Sequence, residues 1–290
     1  MTTTTTLPTA PEAAPVASPS GADATPAASR LSATGLIRSE WIKLRSVRST
    51  VWSYALLVAF SLGLAAVMSA SLDLQGADVS QVPAANQAIF VAQASTFGVF
   101  FGQLIVAVLG VLSISGEYST GMIRSTLAAV PKRLPALWAK VVVLFGTTFL
   151  VGLVSTVGSY LVSSAVLSGQ GLQAGLFEPA VLFPVLGGAL YLGLIAVFAL
   201  GVGTIVRSGA GGIAVVLGLL LLVPMVLQLI PAAWATSLLP YLVSNAGINM
   251  FGLMSFSEVP IAWWVDLLVV LGWIAASLIG AAALLKRRDA

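Results

Sequence analysis

The chain contains no cysteine and no histidine, and these two absences exclude several classes of membrane protein. Without cysteine it cannot form a disulfide or ligate haem or an iron–sulfur cluster through sulfur. Without histidine it has no imidazole base, no histidine metal ligand and no histidine proton relay. We therefore expect no metal and no other cofactor in this chain. The sequence argues against a membrane metalloprotease, a cytochrome or a quinone-linked oxidoreductase.

Charged residues are scarce as well, at 8% of the sequence, whereas 58% of the residues are hydrophobic. An ordinary soluble domain carries about 25% charged residues. Six apolar runs are each long enough to cross a hydrocarbon core of roughly 30 Å as a helix. These runs are 51–72, 89–115, 141–166, 180–206, 211–230 and 261–285. The sequence thus predicts an all-α integral membrane protein with six transmembrane helices.

The basic residues predict how these spans are oriented. If the six spans alternate in direction, all 13 Lys and Arg residues fall on one side of the membrane. Lys and Arg favour cytoplasmic loops, so we predict a multi-pass protein of the cell (plasma) membrane with both termini in the cytoplasm. Because the basic residues flank spans, topology accounts for the basicity of the chain, and no nucleic-acid partner is expected.

The spans also predict the domain organisation. Residues 1–30 are rich in Thr, Ala and Pro and lack the basic and apolar regions of a signal peptide. Such a segment cannot bury enough apolar surface to fold, so we predict a disordered cytoplasmic tail, with a tethering role left open. Spans and short connections use up most of 31–290, which leaves no room for a separate domain of about 100 residues.

The residues just before the first span, 31–50, have a moderately amphipathic helical pattern that Glu40 interrupts. The apolar face carries Leu36, Ile37, Trp41, Leu44 and Val47. A basic amphipathic helix with a tryptophan, directly before a span, is typical of a helix lying in the cytoplasmic interface. The residues assigned to this interfacial helix are Trp41, Lys43, Arg45 and Arg48. The alternative is that they form the ordinary positive flank of the first span.

The connection between the second and third spans, 116–140, has a helical pattern of its own. Its apolar face carries Met122, Ile123, Thr126, Leu127 and Val130. An apolar stripe in a cytoplasmic connection fits a groove on a partner protein. The alternative is that the segment folds against its own membrane surface.

The connection between the fifth and sixth spans, 231–260, is too apolar for a free loop and too often interrupted by Pro and Gly for a span. Non-helical backbone at membrane depth has to be covered by protein or water. We therefore predict a re-entrant or surface-lying helical pair on the outer side.

Two features inside the spans leave alternatives open. A stripe of small and hydroxyl residues in the third span, within 148–163, either packs against other helices or lines a conduit. Asp266, in the sixth span, either reaches the outer interface or serves ion-coupled transport.

Three short motifs carry a family resemblance: SEWIKLRS at 39–46, GEYSTGMIR at 116–124 and SNAG at 244–247. Together they resemble the permeases of the bacterial type-2 ABC exporter family, the membrane subunits of ABC transporters. The resemblance covers roughly 31–288, and the second motif is its most specific part. It implies that 31–290 is a six-span permease domain with an interfacial helix before the first span and outer re-entrant helices in 231–260.

The resemblance also implies that the connection after the second span carries a coupling helix, which sits in a groove of a cytoplasmic ABC ATPase subunit. The residues assigned to this ATPase-coupling loop are Gly116, Glu117, Tyr118, Ser119, Thr120, Gly121, Met122, Ile123, Arg124 and Leu127. Glu117 and Arg124 are expected to form charge-assisted bonds with the ATPase.

The ATPase itself is expected in another chain. A Walker A loop needs glycine directly before its lysine, whereas the lysines follow Ile42, Pro131, Ala139 and Leu285. ATP and Mg would then be bound by the partner, and this chain would not be an enzyme. Because six spans are half of the family's usual twelve, the resemblance implies a dimer with a second permease copy or a paralogue in the lipid bilayer.

The sequence therefore favours the permease subunit of an ATP-driven ABC transporter, an exporter coupled to a separate ATPase. Its apolar spans suit lipid, drug, peptide and polysaccharide substrates alike. Two alternatives belong to other classes: a membrane scaffold or immunity-type protein, and a secondary transporter that uses Asp266.

Overall fold

The computed structural model describes residues 32–72, 83–122, 134–252 and 262–287. These residues fold into helices joined by short connections, with no strand among them. Six of the helices are long and apolar enough to cross a membrane. The predicted all-α membrane fold with six spans is therefore confirmed. The predicted tail, 1–30, lies outside the described residues.

In the described part of the chain the helices are α1 (Ala33–Ser46), α2 (Arg48–Ser71), α3 (Ala84–Ser119), α4 (Leu134–Ser168), α5 (Pro179–Val206), α6 (Gly209–Gln228), α7 (Ala233–Leu238), α8 (Val243–Met250) and α9 (Trp263–Arg287). The six spans are α2 to α6 and α9. Each apolar run coincides with one of these helices, but α3 and α4 are longer than their runs. At about 1.5 Å per residue, the 36 residues of α3 and the 35 of α4 exceed a hydrocarbon core of roughly 30 Å, so both helices continue beyond it.

Helix α5 is the most buried of the spans and packs against α3, α4 and α9. Small residues allow its backbone to approach its neighbours closely. An added Cβ at Gly110 of α3 would overlap the carbonyl oxygen of Ala196, and one at Gly201 would lie 2.5 Å from the hydroxyl of Ser277. Close backbone contact of this kind is a main source of helix association in lipid, where no hydrophobic force drives helices together.

A buried tyrosine joins α5 to α3 and α8. The Tyr191 hydroxyl donates to Gln103 Oε1 at 2.6 Å, and both side chains are fully buried. Gly247 of α8 lies directly against the Tyr191 ring, where an added Cβ would overlap ring carbons. We call Gln103, Tyr191 and Gly247 the Tyr191 core.

The apolar connection after α6 contains two short helices, α7 and α8, joined by a 3₁₀ turn at Leu239–Tyr241. The Asn245 amide donates to the Leu239 carbonyl at 2.9 Å, and the Trp273 indole N–H of α9 donates to the Tyr241 carbonyl at 3.0 Å. A helical pair thus occurs where the sequence predicts one. Its position on the outer side stays a prediction, and 253–261 lies outside the described residues.

The hydroxyl stripe of the third span lies inside the subunit. Its members are all buried: Thr148, Gly152, Thr156, Ser159 and Ser163. The Thr148 hydroxyl is 2.8 Å from the Tyr54 hydroxyl of α2, so the two helices share a hydrogen bond. This placement supports packing rather than a conduit within the chain.

Candidate functional site

Four charged side chains meet at one end of the helix bundle, where α1, α3 and α4 converge. We call Glu40, Lys43, Glu117 and Lys140 the charge cluster. Lys43 Nζ lies 2.7 Å from Glu40 Oε1 and 3.1 Å from Glu117 Oε1. Lys140 Nζ lies 2.5 Å from Glu40 Oε2 and 2.9 Å from Glu117 Oε1. Each lysine therefore bridges both carboxylates.

Three of the four members of the cluster are buried, and the fourth, Lys43, is partly exposed. Glu40 is 5% exposed, Glu117 and Lys140 are each 7% exposed, and the Lys43 side chain is 28% exposed. Removing such groups from water is costly unless each charge is paired, and two carboxylates here face two ammonium groups. Burial lowers the pKa of Lys43, but its bonds to the carboxylates of Glu40 and Glu117 outweigh burial and raise that pKa above its usual value.

Glu117 lies in a helix packed inside the bundle, and its expected bond to an ATPase stays a prediction. Glu117 was expected to form a charge-assisted bond with an ATPase, yet its carboxylate turns inward and accepts from Lys43 and Lys140. The reason is that α3 continues through 116–119, so these residues form its last helical turn instead of starting a loop. The helix buries Glu117 against α1 and α4.

The end of α3 has a clear local cause. The Thr120 N–H donates to the Gly116 carbonyl at 3.2 Å, and the next residue, Gly121, has a φ of +72°. Glycine adopts this left-handed conformation without steric cost, so the helix ends here. Met122 follows and is 46% exposed. The other residues of the predicted coupling loop, Ile123, Arg124 and Leu127, lie outside the described residues.

Tyr118, also on the last turn of α3, contacts the connection between α5 and α6. The Arg207 guanidinium lies 5.3 Å from the centre of the Tyr118 ring, within the range of a cation–π interaction. Arg207 itself has a φ of +58° and ends α5. The end of α3 is thus attached to α1 and α4 through Glu117 and to the α5–α6 connection through Tyr118.

Three of the predicted interfacial residues, Trp41, Lys43 and Arg45, lie on α1, and the fourth, Arg48, begins α2. Trp41 is 46% exposed, and Arg45 and Arg48 are exposed, whereas Lys43 belongs to the charge cluster. Glu40, which interrupts the apolar face in the sequence, is the fully buried residue of α1. Glu40 is therefore central to the packed face of α1, because Lys43 and Lys140 neutralise it.

A cavity of about 420 Å³ lies beside the cluster and is partly open. Its lining comes from α1 to α4 and the residues between or after them: Glu40, Lys43, Leu44, Ser46, Val47, Ser49, Thr50, Leu109, Leu112, Ser113, Gly116, Glu117, Thr120, Met122, Lys140 and Val143. The volume is in the range of small-molecule pockets, about 300–1,000 Å³.

Asp266 is buried in the first turn of α9, with 1% exposure, and its Oδ1 has no hydrogen-bond partner among the described residues. The described residues bury Asp266 within the chain, and both its position at the outer interface and its use in ion-coupled transport stay predictions. The sequence analysis did not predict the pairing of Glu40 with Lys140. The available signal was that isolated acidic and basic residues near the ends of spans, in a chain this apolar, have to pair with each other when they are buried.

A comparison with known protein families identifies the family of this chain. The sequence model of a family described as ABC-2 family transporter protein matches residues 36–224. The match runs from α1 into α6 and includes all four residues of the charge cluster. A comparison with curated proteins found no match.

Proposed function

The chain belongs to the ABC-2 family of transporter membrane proteins, and from this premise we propose that it is the permease subunit of an exporter driven by a separate ATPase. The resemblance drawn from the sequence motifs is thereby confirmed. The chain is a multi-pass membrane transport subunit of an ABC transporter. Export, the ATPase contact and the orientation of the chain are the parts that we propose.

The observation that carries the proposal is the way the end of α3 is attached. The segment expected to contact the ATPase continues directly from this end, which the charge cluster ties to α1 and α4. A displacement of the segment by ATP-driven closure would be passed to three helices together. Rigid-body shifts of packed helices are a common way to switch between inward- and outward-facing states.

Two further features support a cytoplasmic position for this end. The basic residues lie on this side under alternating spans, which favours the cytoplasm for both termini. Helix α1 exposes Ile37, Trp41 and Ile42 together with Arg38 and Arg45, a composition suited to a membrane interface. The ATPase, which would hold ATP and Mg, and a second permease copy or paralogue complete the proposed assembly.

The proposal is tested by substitution at each end of the molecule. Leu127→Asp places a charge on the apolar face of the predicted coupling segment. Phe177→Asp makes the same type of change in the α4–α5 connection, where Phe177 is 84% exposed. After co-expression with a candidate ATPase, Leu127→Asp should lose co-purification and stimulated ATP hydrolysis, and Phe177→Asp should keep both.

The direction of transport needs a separate measurement. In inside-out vesicles an exporter accumulates its substrate when ATP is added outside the vesicle. We expect such accumulation, and we expect Leu127→Asp to abolish it. Co-purification unaffected by Leu127→Asp would contradict the ATPase contact, and ATP-dependent loss of preloaded substrate would contradict export.

A further inference from the structure

The outward face of α1 carries exposed arginines that no described carboxylate neutralises. Arg38 and Arg45 are exposed on α1, and Arg48 is exposed at the start of α2. None of the three forms an ion pair with a described residue, since Glu40 and Glu117 are buried and bound to lysines. The remaining described acids lie at the beginnings of α5 and α9, far from this end of the bundle.

Apolar side chains lie among these arginines. Trp41 is 46% exposed and shares the face of Arg38 and Arg45, because residues spaced three, four and seven apart lie on one side of a helix. Ile42, beside them, is 56% exposed. The exposed apolar surface continues onto α2, where Trp52 is 69% exposed. This face therefore combines unneutralised positive charge with apolar surface.

These features select the chemistry of a partner. An arginine guanidinium binds phosphate oxygens through two parallel N–H donors, and unneutralised arginines favour a surface of net negative charge. A small soluble anion would pair with the arginines but would leave Trp41 and Ile42 in water. A bilayer that contains anionic lipids offers phosphate at its boundary and apolar chains directly below it, so it suits both parts of the face.

We propose that Arg38 and Arg45 bind the head groups of anionic phospholipids, while Trp41 and Ile42 enter the apolar layer beneath them. The proposal rests on the interfacial position proposed for α1 and adds the lipid class, but it requires neither ATP nor an ATPase. On its other face the same helix carries Glu40, which the charge cluster holds. The charge of the membrane thus acts on the helix to which the end of α3 is attached.

The lipid preference is tested with a label on α1 itself. The chain has no cysteine, so Ile42→Cys accepts a single bimane fluorophore. The labelled chain is reconstituted without an ATPase into phosphatidylcholine vesicles that contain a fixed fraction of nitroxide-labelled phosphatidylglycerol or of identically labelled phosphatidylcholine. Quenching reports how often each labelled lipid lies beside α1. Because each arginine near an anionic surface strengthens binding by about fivefold, we expect phosphatidylglycerol to associate at least about fivefold more strongly.

Double variants of the labelled chain locate the effect. Arg38→Gln with Arg45→Gln removes two charges from the proposed face and should abolish the preference. Lys286→Gln with Arg287→Gln removes two charges from the exposed end of α9 and should retain it. Arg38→Lys with Arg45→Lys keeps the charge and should keep most of the preference. In the wild type the preference should fall as salt is raised, because salt screens exposed charges.

The outcomes separate the lipid class from the position of α1. Equal quenching by the two lipids in the wild type, or a preference that survives the loss of both arginines, would overturn the proposal. Quenching by neither lipid would overturn the interfacial position of α1 as well. Loss of ATPase binding in Arg38→Gln with Arg45→Gln, for a chain without a lipid preference, would assign the face to an acidic protein surface instead. A failure of export would appear only in the transport measurement, so it is distinguishable from each of these results.

Discussion

Helix α3 is attached in two different ways at two places along its length. At the charge cluster it is held by ion pairs among buried carboxylates and lysines, beside a cavity. At the Tyr191 core it is held by one neutral hydrogen bond to α5, and the same tyrosine ring packs directly against Gly247 of α8. The difference teaches that losing one partner of a buried ion pair destabilises the fold strongly, because the other charge is left unpaired. Changing one residue of a close-packed contact destabilises it less, because the stability depends on the fit of many atoms.

The two places also differ in what they allow. The Tyr191 core is fully buried and leaves no room for side chains larger than those present. The charge cluster retains a partly open cavity and one unsatisfied oxygen. On this comparison the Tyr191 core fixes the packing of α3, α5 and α8, and the charge cluster is the part that we expect to respond to a partner protein.

The largest effect is expected from removing one charge of the cluster. Lys140→Met leaves Glu117 and Glu40 with one lysine between them, and breaking a buried ion pair in this way costs about 3–5 kcal/mol. The free energy of unfolding in detergent measures the loss. Lys286→Met, at an exposed position of α9, is the control and should change stability by less than about 0.5 kcal/mol.

A double variant tests whether charge imbalance causes that loss. Glu117→Gln with Lys140→Met removes one charge of each sign and keeps the Glu40–Lys43 pair. Most of the stability lost in Lys140→Met should return. A double variant as unstable as Lys140→Met would show that packing, and not charge, accounts for the effect.

A smaller loss is expected at the Tyr191 core. Gly247→Ala pushes a methyl group into the Tyr191 ring, and overpacking of this kind costs about 1–3 kcal/mol. Gly272→Ala on α9 adds the same methyl group at an exposed position with no atom within 4 Å. Equal stability of the two variants would contradict the close contact between α8 and α5.

The sequence predicted the parts of this comparison that depend on local pattern. Apolar runs located the spans, and the small residues in them indicated close packing, because both signals lie within single helices. The pairing of Glu40 with Lys140 joins residues 100 positions apart in the chain, and no local pattern encodes it. The extension of α3 through Glu117 was missed because hydrophobicity marks only the part of a helix inside the membrane, whereas α3 continues to Ser119.

The neutral hydrogen bond of the Tyr191 core is expected to contribute less again. Tyr191→Phe removes the donor to Gln103, and hydrogen bonds between membrane helices average about 0.6 kcal/mol. A double-mutant cycle with Gln103→Leu measures the coupling energy between the two side chains. A coupling as large as that between Glu117 and Lys140 would remove the distinction between the two attachments of α3.

The smallest effect is a dependence of stability on pH through Lys43. Because the pKa of Lys43 is raised in the folded chain, its contribution is fully present below its unfolded pKa, near 10.5, and is lost as the pH rises through the folded value. Wild type should therefore lose stability at strongly alkaline pH relative to Lys43→Met. Parallel pH profiles of the two proteins between pH 9 and pH 12 would show that Lys43 is not coupled to the carboxylates.

The central claim is that the end of α3 moves together with α1 when the ATPase closes. The chain has no cysteine, so spin labels can be placed by Ile42→Cys on α1, Ser119→Cys on α3 and Ile279→Cys on α9, where Ile279 is 69% exposed. Distances are measured in the reconstituted complex before and after trapping with ATP and vanadate. The account predicts a constant distance between 42 and 119 and a changed distance between 119 and 279. A changed distance between 42 and 119 with a constant distance between 119 and 279 would contradict it.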